Sequence, residues 1–219
     1  MTRIRTSLTE LIGIGIPIVQ APMSSAATPS LAATVSNAGG LGMVSGTWQA
    51  PAELRKLIRD VRSRTTHPFG VNLGLDWDQE ERLEVCLNED VPVISLFWGD
   101  PTRYVGAAHD GGALVMHTVG SSAQARSAVD MGVDVVVAQG WEAGGHVDST
   151  VGNLALVPAV VDVVGTVPVV AAGGIADGRA LAAVLAMGAA GAWIGTRFLL
   201  TPEARAHEHY KARLMSATE

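Results

Sequence analysis

Eight short runs rich in Val, Ile, Leu and Ala recur along the chain, bounded by Gly and Pro: residues 18–21, 41–45, 69–73, 91–97, 113–118, 133–138, 167–172 and 190–194. Most are continuous rather than alternating. A continuous apolar strand is buried on both faces, which is the mark of a parallel sheet. Helical signals separate the runs. Thr28-Pro29 opens a segment through Ala38, with proline at the first helical position. Residues 52–64 are amphipathic, and residues 79–88 carry Leu83 and Leu87 four apart. Ser121 and Gly132 bracket a further helix, Asp177 caps one over 178–187, and residues 202–214 form the last. Alternating βα units imply an α/β fold, and eight of them predict a closed (β/α)₈ TIM barrel. An open doubly wound sheet is the alternative. No linker or second-domain boundary stands out, so residues 1–219 read as one domain.

Composition narrows the function. With 15 Lys+Arg against 21 Asp+Glu the formal net charge is −6, which argues against nonspecific nucleic-acid binding. At 48% hydrophobic and 16% charged residues, the chain is too apolar to be disordered. Cys86 has no partner for a disulfide and sits beside Leu83 and Leu87, so it reads as core. A membrane span needs about 20 uninterrupted apolar residues. The apolar stretch 154–175 is broken by Pro158, Asp162, Pro168 and three glycines. Gly13, Gly15 and Pro17 break the N-terminal run, making a poor signal peptide. We expect a cytoplasmic protein with no membrane partner.

In a barrel of this kind, function sits at the C-terminal ends of the strands. Gly173-Gly174, with Asp177 opening the next helix, and Gly195-Thr196 follow adjacent strands. Either pair alone reads as a tight turn; together they read as a phosphate site, because glycines let backbone N–H groups approach phosphate oxygens. The densest polar stretch is Gln139-Gly-Trp-Glu-Ala-Gly-Gly-His146. His146 either serves as a general base near neutral pH or is a surface-loop histidine beside a glycine turn. Glu142 is a second base or a solvated loop charge. His117 ends the fifth run, where its side chain points into the barrel mouth or its rim, or is a satisfied core histidine. Asn72 hydrogen-bonds a heteroaromatic edge or ends its strand. Trp48, Trp77, Trp98 and Trp141 fall at strand ends, positioned to line an apolar pocket. His207 and His209 lack companions at metal-ligand spacing, so no metal site is expected.

Five blocks carry a resemblance: Gln20-Ala-Pro-Met23, Gly39-Gly-Leu-Gly42, Gln139 through His146, Pro168 through Ile175, and Gly195-Thr-Arg-Phe198. In this order the chain resembles the nitronate monooxygenase family. That resemblance implies an FMN-dependent barrel that oxidises alkyl nitronates with O₂ to a carbonyl compound and nitrite. Carried over by motif, Ala21, Pro22 and Met23 would pack on the flavin ring, and Asn72 and Gln139 would hydrogen-bond it. Gly144, Gly145, Gly173, Gly174, Trp193, Ile194, Gly195 and Thr196 would hold its phosphate end, with His117 near the ring. His146 matches the family's catalytic histidine. The implied partners are a small-molecule substrate and O₂. The Glu-Ala-Gly-Gly-His block is shared with flavin-dependent enoyl-acyl-carrier-protein reductases, so NAD(P)H-dependent reduction of an enoyl thioester is the alternative. An incomplete, noncatalytic barrel binding a phosphorylated ligand is another. Two departures accompany the resemblance. Asp148 stands where the family commonly has glycine, and the sequence ends at Glu219, where members continue with segments that cover the site. The sequence reads either as a reduced member or as a fragment; a barrel without that extension would have an open site and an apolar face that a homo-oligomer would bury.

Overall fold

The computed structural model describes residues 3–217. Strands β1 (Ile18–Gln20), β2 (Gly42–Ser45), β3 (Phe69–Gly74), β4 (Val93–Phe97), β5 (Leu114–Val119), β6 (Val135–Gln139), β7 (Val169–Ala172) and β8 (Gly191–Ile194) form one parallel sheet. Helices α2 (Pro29–Asn37), α3 (Pro51–Arg64), α4 (Glu80–Asn88), α5 (Thr102–Asp110), α6 (Ser122–Asp130), α7 (Asn153–Val161) and α8 (Gly178–Ala186) connect successive strands. The sheet order runs from β1 through β8 and back down to β2, which is the TIM barrel expected from the eight runs.

The ring closes where β1 meets β2. Leu41 N–H donates to the Ile18 carbonyl and Gln20 N–H to the Leu41 carbonyl, both at 2.9 Å. At the next rung Met43 N–H bonds to a side chain instead of a main-chain carbonyl. That side chain is Gln20, fully buried: its Oε1 accepts the Met43 N–H at 3.1 Å, and its Nε2 donates to the Ala21 carbonyl. Gln20→Leu keeps the volume but orphans that N–H. We expect a loss of about 1–3 kcal/mol in urea denaturation, with the fold retained.

Alternation along each strand divides the core in two. Val19, Met43, Val93, Met116, Val135, Val137, Val170 and Ala172 point inward and fill the barrel. Val44, Val71, Ile94, Leu96, Val115, Val136, Ala171 and Ala192 point outward and pack under the helices with Leu54, Ile58, Leu156 and Val160. Helix α1 (Ser7–Ile12) stops the N-terminal end of the barrel: Leu8 and Ile12 join the interior cluster, and a Cβ on Gly191 would sit 2.6 Å from Leu8 Cδ2. Chemistry is thereby confined to the opposite, C-terminal mouth. Cys86 lies in the outer core, where burial pushes its thiol up to about 12 and leaves it unreactive.

The sequence reading needs correction at the ends of the chain. Residues 196–200 form a 3₁₀ turn and α9 runs only from Glu208 to Ser216. The stretch between is held otherwise: Arg205 N–H donates to the Ala26 carbonyl, and Ala204 packs on Leu31 and Val35. Helices α1 and α5 were not singled out. Among the described residues no helix is long and apolar enough to cross a membrane.

Candidate active site at the C-terminal mouth

Four loops converge on the mouth. The loop after β7 has Gly173 at φ 112° and Gly174 at φ 67°, a region that favours glycine. It passes so close to the loop after β6 that a Cβ on Gly173 would lie 2.7 Å from the Ala143 nitrogen. Gly144 faces Thr196 Oγ1 of the loop after β8, and Gly195 faces Ala21 and Met23 of the loop after β1. Among the described residues no protein acceptor takes the N–H of Gly144, Gly174, Gly195 or Thr196. A cradle of free N–H groups lined by glycines is what an anionic phosphate needs. Trp193 points into the barrel below it, whereas Ile194 packs outward and contributes its carbonyl, which accepts the Ala21 N–H at 2.8 Å. Gly145, at φ 77°, has open space around it.

Across the mouth, alternation points Asn72 inward. Its Nδ2 donates to the Ser95 carbonyl at 3.2 Å and to Ser95 Oγ at 3.3 Å, leaving Oδ1 without a protein partner. Gln139 is engaged with its own loop. Its Nε2 donates to the His146 carbonyl at 3.0 Å, and its Oε1 accepts the Asp148 N–H at 3.3 Å. It therefore fixes the loop that carries His146. Glu142 is exposed on the loop, and its charge is put to a structural use. Its carboxylate accepts the Asn153 N–H at 3.0 Å and so caps α7, where helix N–H groups and dipole favour an anion. Asn153 in turn donates to the carbonyls of Ala172 and Gly173. Asp148, the departure from the family pattern, accepts from Gln124 Nε2 at 3.0 Å, and Ser149 Oγ donates to the Gly120 carbonyl. The loop after β6 is thus pinned to both neighbouring loops.

His146 is exposed on this loop, and its ring meets Trp98 edge-on with centroids 4.8 Å apart. Trp98 has φ 59°, a strained backbone for a bulky residue. Trp48 and Trp77, on the loops after β2 and β3, pack on each other with centroids 4.1 Å apart, and Trp141 is 65% exposed. The tryptophans edge the mouth rather than line one pocket.

His117 does not point into the mouth. Its neighbours Met116 and Thr118 alternate with it, and Met116 belongs to the barrel interior while Val115 and Val119 belong to the outer core. The imidazole therefore lies outside the barrel wall, only 7% exposed, with Nδ1 lacking any hydrogen-bond partner. Burial pushes it down to about 4, against weaker opposing effects of the Leu96 carbonyl and Asp100. It is neutral in the fold and protonates in the unfolded chain near pH 6.5. Stability should fall as pH drops from 6.5 towards 4, by about 3 kcal/mol in all. Urea denaturation at pH 7 and pH 4.5 would reveal this, and His117→Leu should remove that part of the slope.

The sequence matches the nitronate monooxygenase family over residues 5–81 and 74–219. It is 39% identical over 224 positions to the (3aS,4S,5R,7aS)-5-hydroxy-7a-methyl-1-oxo-octahydro-1H-indene-4-carboxyl-CoA dehydrogenase of Rhodococcus jostii, covering 100% of this chain but 63% of that protein. It is 37% identical over 254 positions to a nitronate monooxygenase of Pseudomonas aeruginosa, covering 94% of this chain and 72% of the relative. The structure superposes on FabK from Thermotoga maritima with a TM-score of 0.94 at 41% identity, covering 98% of this chain and 68% of the other. The chain thus spans less than two thirds of the length of the R. jostii dehydrogenase. With a family match that reaches from the first helix through the last, and with that family's glycine loops gathered at one mouth, the chain belongs to the nitronate monooxygenase family.

Proposed function

We propose that this chain is the barrel of an FMN-dependent oxidoreductase that acts in the cytoplasm on alkyl nitronates and O₂, giving a carbonyl compound and nitrite. The observation that carries the proposal is the meeting of the glycine cradle and His146 at one barrel mouth. The free N–H groups of Gly144, Gly174, Gly195 and Thr196 would bind the phosphate. Asn72 Oδ1 would accept from the polar edge of the ring system, and Ala21, Pro22 and Met23 would offer an apolar wall. FMN, when bound, would supply the electron transfer to O₂. His146 would take the acidic proton α to a nitro group at its ring nitrogen, or hydrogen-bond the nitronate oxygens. Gln139 and Trp98 hold it in place for either task.

One observation favours a second reading. The alignment with the CoA dehydrogenase runs over 224 positions, nearly the length of this chain, whereas that with the nitronate monooxygenase needs 254. The thioester-linked relative is the one that aligns without long insertions. Under that reading His146 would exchange a proton beside an acyl thioester.

The deciding experiment is a visible absorption spectrum of the purified chain, followed by nitrite release from propyl nitronate under O₂. Bound flavin with nitrite release supports the first reading. Bound flavin without nitrite, but with rapid anaerobic reduction by NADH or NADPH, supports the second. A chain that takes up no added FMN refutes both.

A further inference from the structure

Asn153 is the first residue of α7 and is only 7% exposed. Its Nδ2 carries two hydrogens, and both go to one loop. One bonds to the Ala172 carbonyl at 3.0 Å and the other to the Gly173 carbonyl at 2.6 Å. The main-chain N–H of Asn153 is held in turn by the two carboxylate oxygens of Glu142, at 3.0 and 3.1 Å. Glycines leave the room for this lock. A Cβ on Gly140 would lie 2.5 Å from Glu142 Oε2 and 2.7 Å from Asn153 Oδ1, and one on Gly152 would lie 3.0 Å from Glu142 Oε1. Among the described residues Asn153 Oδ1, itself buried, has no hydrogen-bond partner. An unpaired buried amide oxygen is destabilising, so packing alone is a poor reason for asparagine at this position.

The geometry of the peptide unit gives the side chain a use. A trans peptide is planar, and its C=O and N–H point in opposite directions. The Gly173 carbonyl and the Gly174 N–H belong to one such unit. With the carbonyl gripped by Asn153, the N–H is turned away from Asn153, to a side where no protein acceptor among the described residues takes it. Accepting a hydrogen bond also polarises the unit and makes its N–H a stronger donor. Left alone, this loop has little to fix it. Gly173 and Gly174 have φ of 112° and 67°, and glycine populates either sign of φ about as readily. An anion that had to order the loop would bind more weakly than one that finds it ordered.

We propose that Asn153 is the positioning residue of the phosphate cradle, setting the Gly173–Gly174 peptide so that its N–H is aimed at the phosphate of the bound cofactor. The side chain acts through that peptide and not on the ligand, and Glu142 acts one step further back by fixing Asn153. The inference rests on the flavin reading above for the identity of the phosphate. It makes the loop after β6 and the loop after β7 one binding unit, joined by the first residue of a helix.

Riboflavin is FMN without its phosphate, so the two ligands separate the cradle from the ring site. The full chain is titrated with each while quenching of flavin fluorescence is followed. In Asn153→Ala, FMN should bind at least about tenfold more weakly, the scale of one hydrogen bond to a charged group, while riboflavin changes by less than about twofold. Asn153→Leu, close in size and uncharged but without N–H donors, should behave in the same way. An asparagine that served only the fold would weaken both flavins together. The unaltered chain supplies a measurement that needs no variant. Adding FMN should shift the Gly174 amide resonance in heteronuclear NMR, and adding riboflavin should leave it near its free position. Equal loss of both flavins, undiminished FMN affinity in a folded variant, or a Gly174 amide that responds alike to FMN and riboflavin overturns the inference and leaves the flavin reading standing. An unaltered chain that binds neither flavin overturns both.

Discussion

His146→Ala should retain flavin and lose about 10²–10⁴-fold in kcat/KM on a neutral nitroalkane, the range removed with a general base. Flavin should stay because no part of the cradle is built from the His146 side chain. Its groups are the backbone N–H of Gly144, Gly174, Gly195 and Thr196. The loop should also keep its shape. It is held through the His146 carbonyl by Gln139, and by Asp148, Ser149 and Glu142, none of which uses the imidazole. The variant is informative because the substrate can be supplied in two forms. A preformed nitronate has already lost its α-proton, so proton removal by His146 predicts a much smaller loss with nitronate than with nitroalkane. An equal loss with both assigns His146 to binding the nitronate oxygens. Full activity with both removes it from the reaction.

The second large effect concerns stability. Gly42 begins β2 directly beneath α2, and a Cβ built there would lie 1.9 Å from the Ala32 carbonyl oxygen, far inside contact distance. That neighbour is backbone in a buried helix and cannot rotate away. Gly40 is similarly confined, with its Cβ position 2.9 Å from the Ile18 carbonyl oxygen. We expect Gly42→Ala to cost at least about 3 kcal/mol, the upper end for overpacking a core, seen as a lower urea midpoint or as insoluble protein. Gly106 supplies the contrast. It lies inside α5, and a Cβ there meets nothing within 4 Å. Gly106→Ala should stabilise the chain by about 0.5–1 kcal/mol, because alanine loses less backbone freedom in a helix.

The Gly39-Gly-Leu-Gly42 motif shows why much of this fold was legible. Its glycines mark the close approach of α2 to β1 and β2, and such approaches leave a signature in sequence. The eight apolar runs were legible for a related reason, since strands buried on both faces tolerate little else. What escaped depended on single-residue parity or on partners distant in the chain. Reading the fifth run as ending at His117-Thr118 gave the right strand but not its inward set, and one residue of parity decides whether an imidazole faces the mouth or the helices. The cap that Glu142 places on α7 spans eleven residues of loop, and Gln139 turning back onto its own loop is equally non-local. Nothing in residues 202–207 announces that they pack on Leu31 and Val35 instead of extending a helix.

Closure by a glutamine side chain has a consequence for how this barrel breathes. Seven of its strand pairings are continuous ladders, while the eighth rests on two backbone hydrogen bonds and Gln20. Opening by local unfolding starts where the fewest bonds must break, so amide hydrogen exchange should be fastest along this seam. The Ala21–Met23 loop sits directly above it. A cofactor resting on that loop would act as a clasp, and its departure would loosen the barrel along the same line.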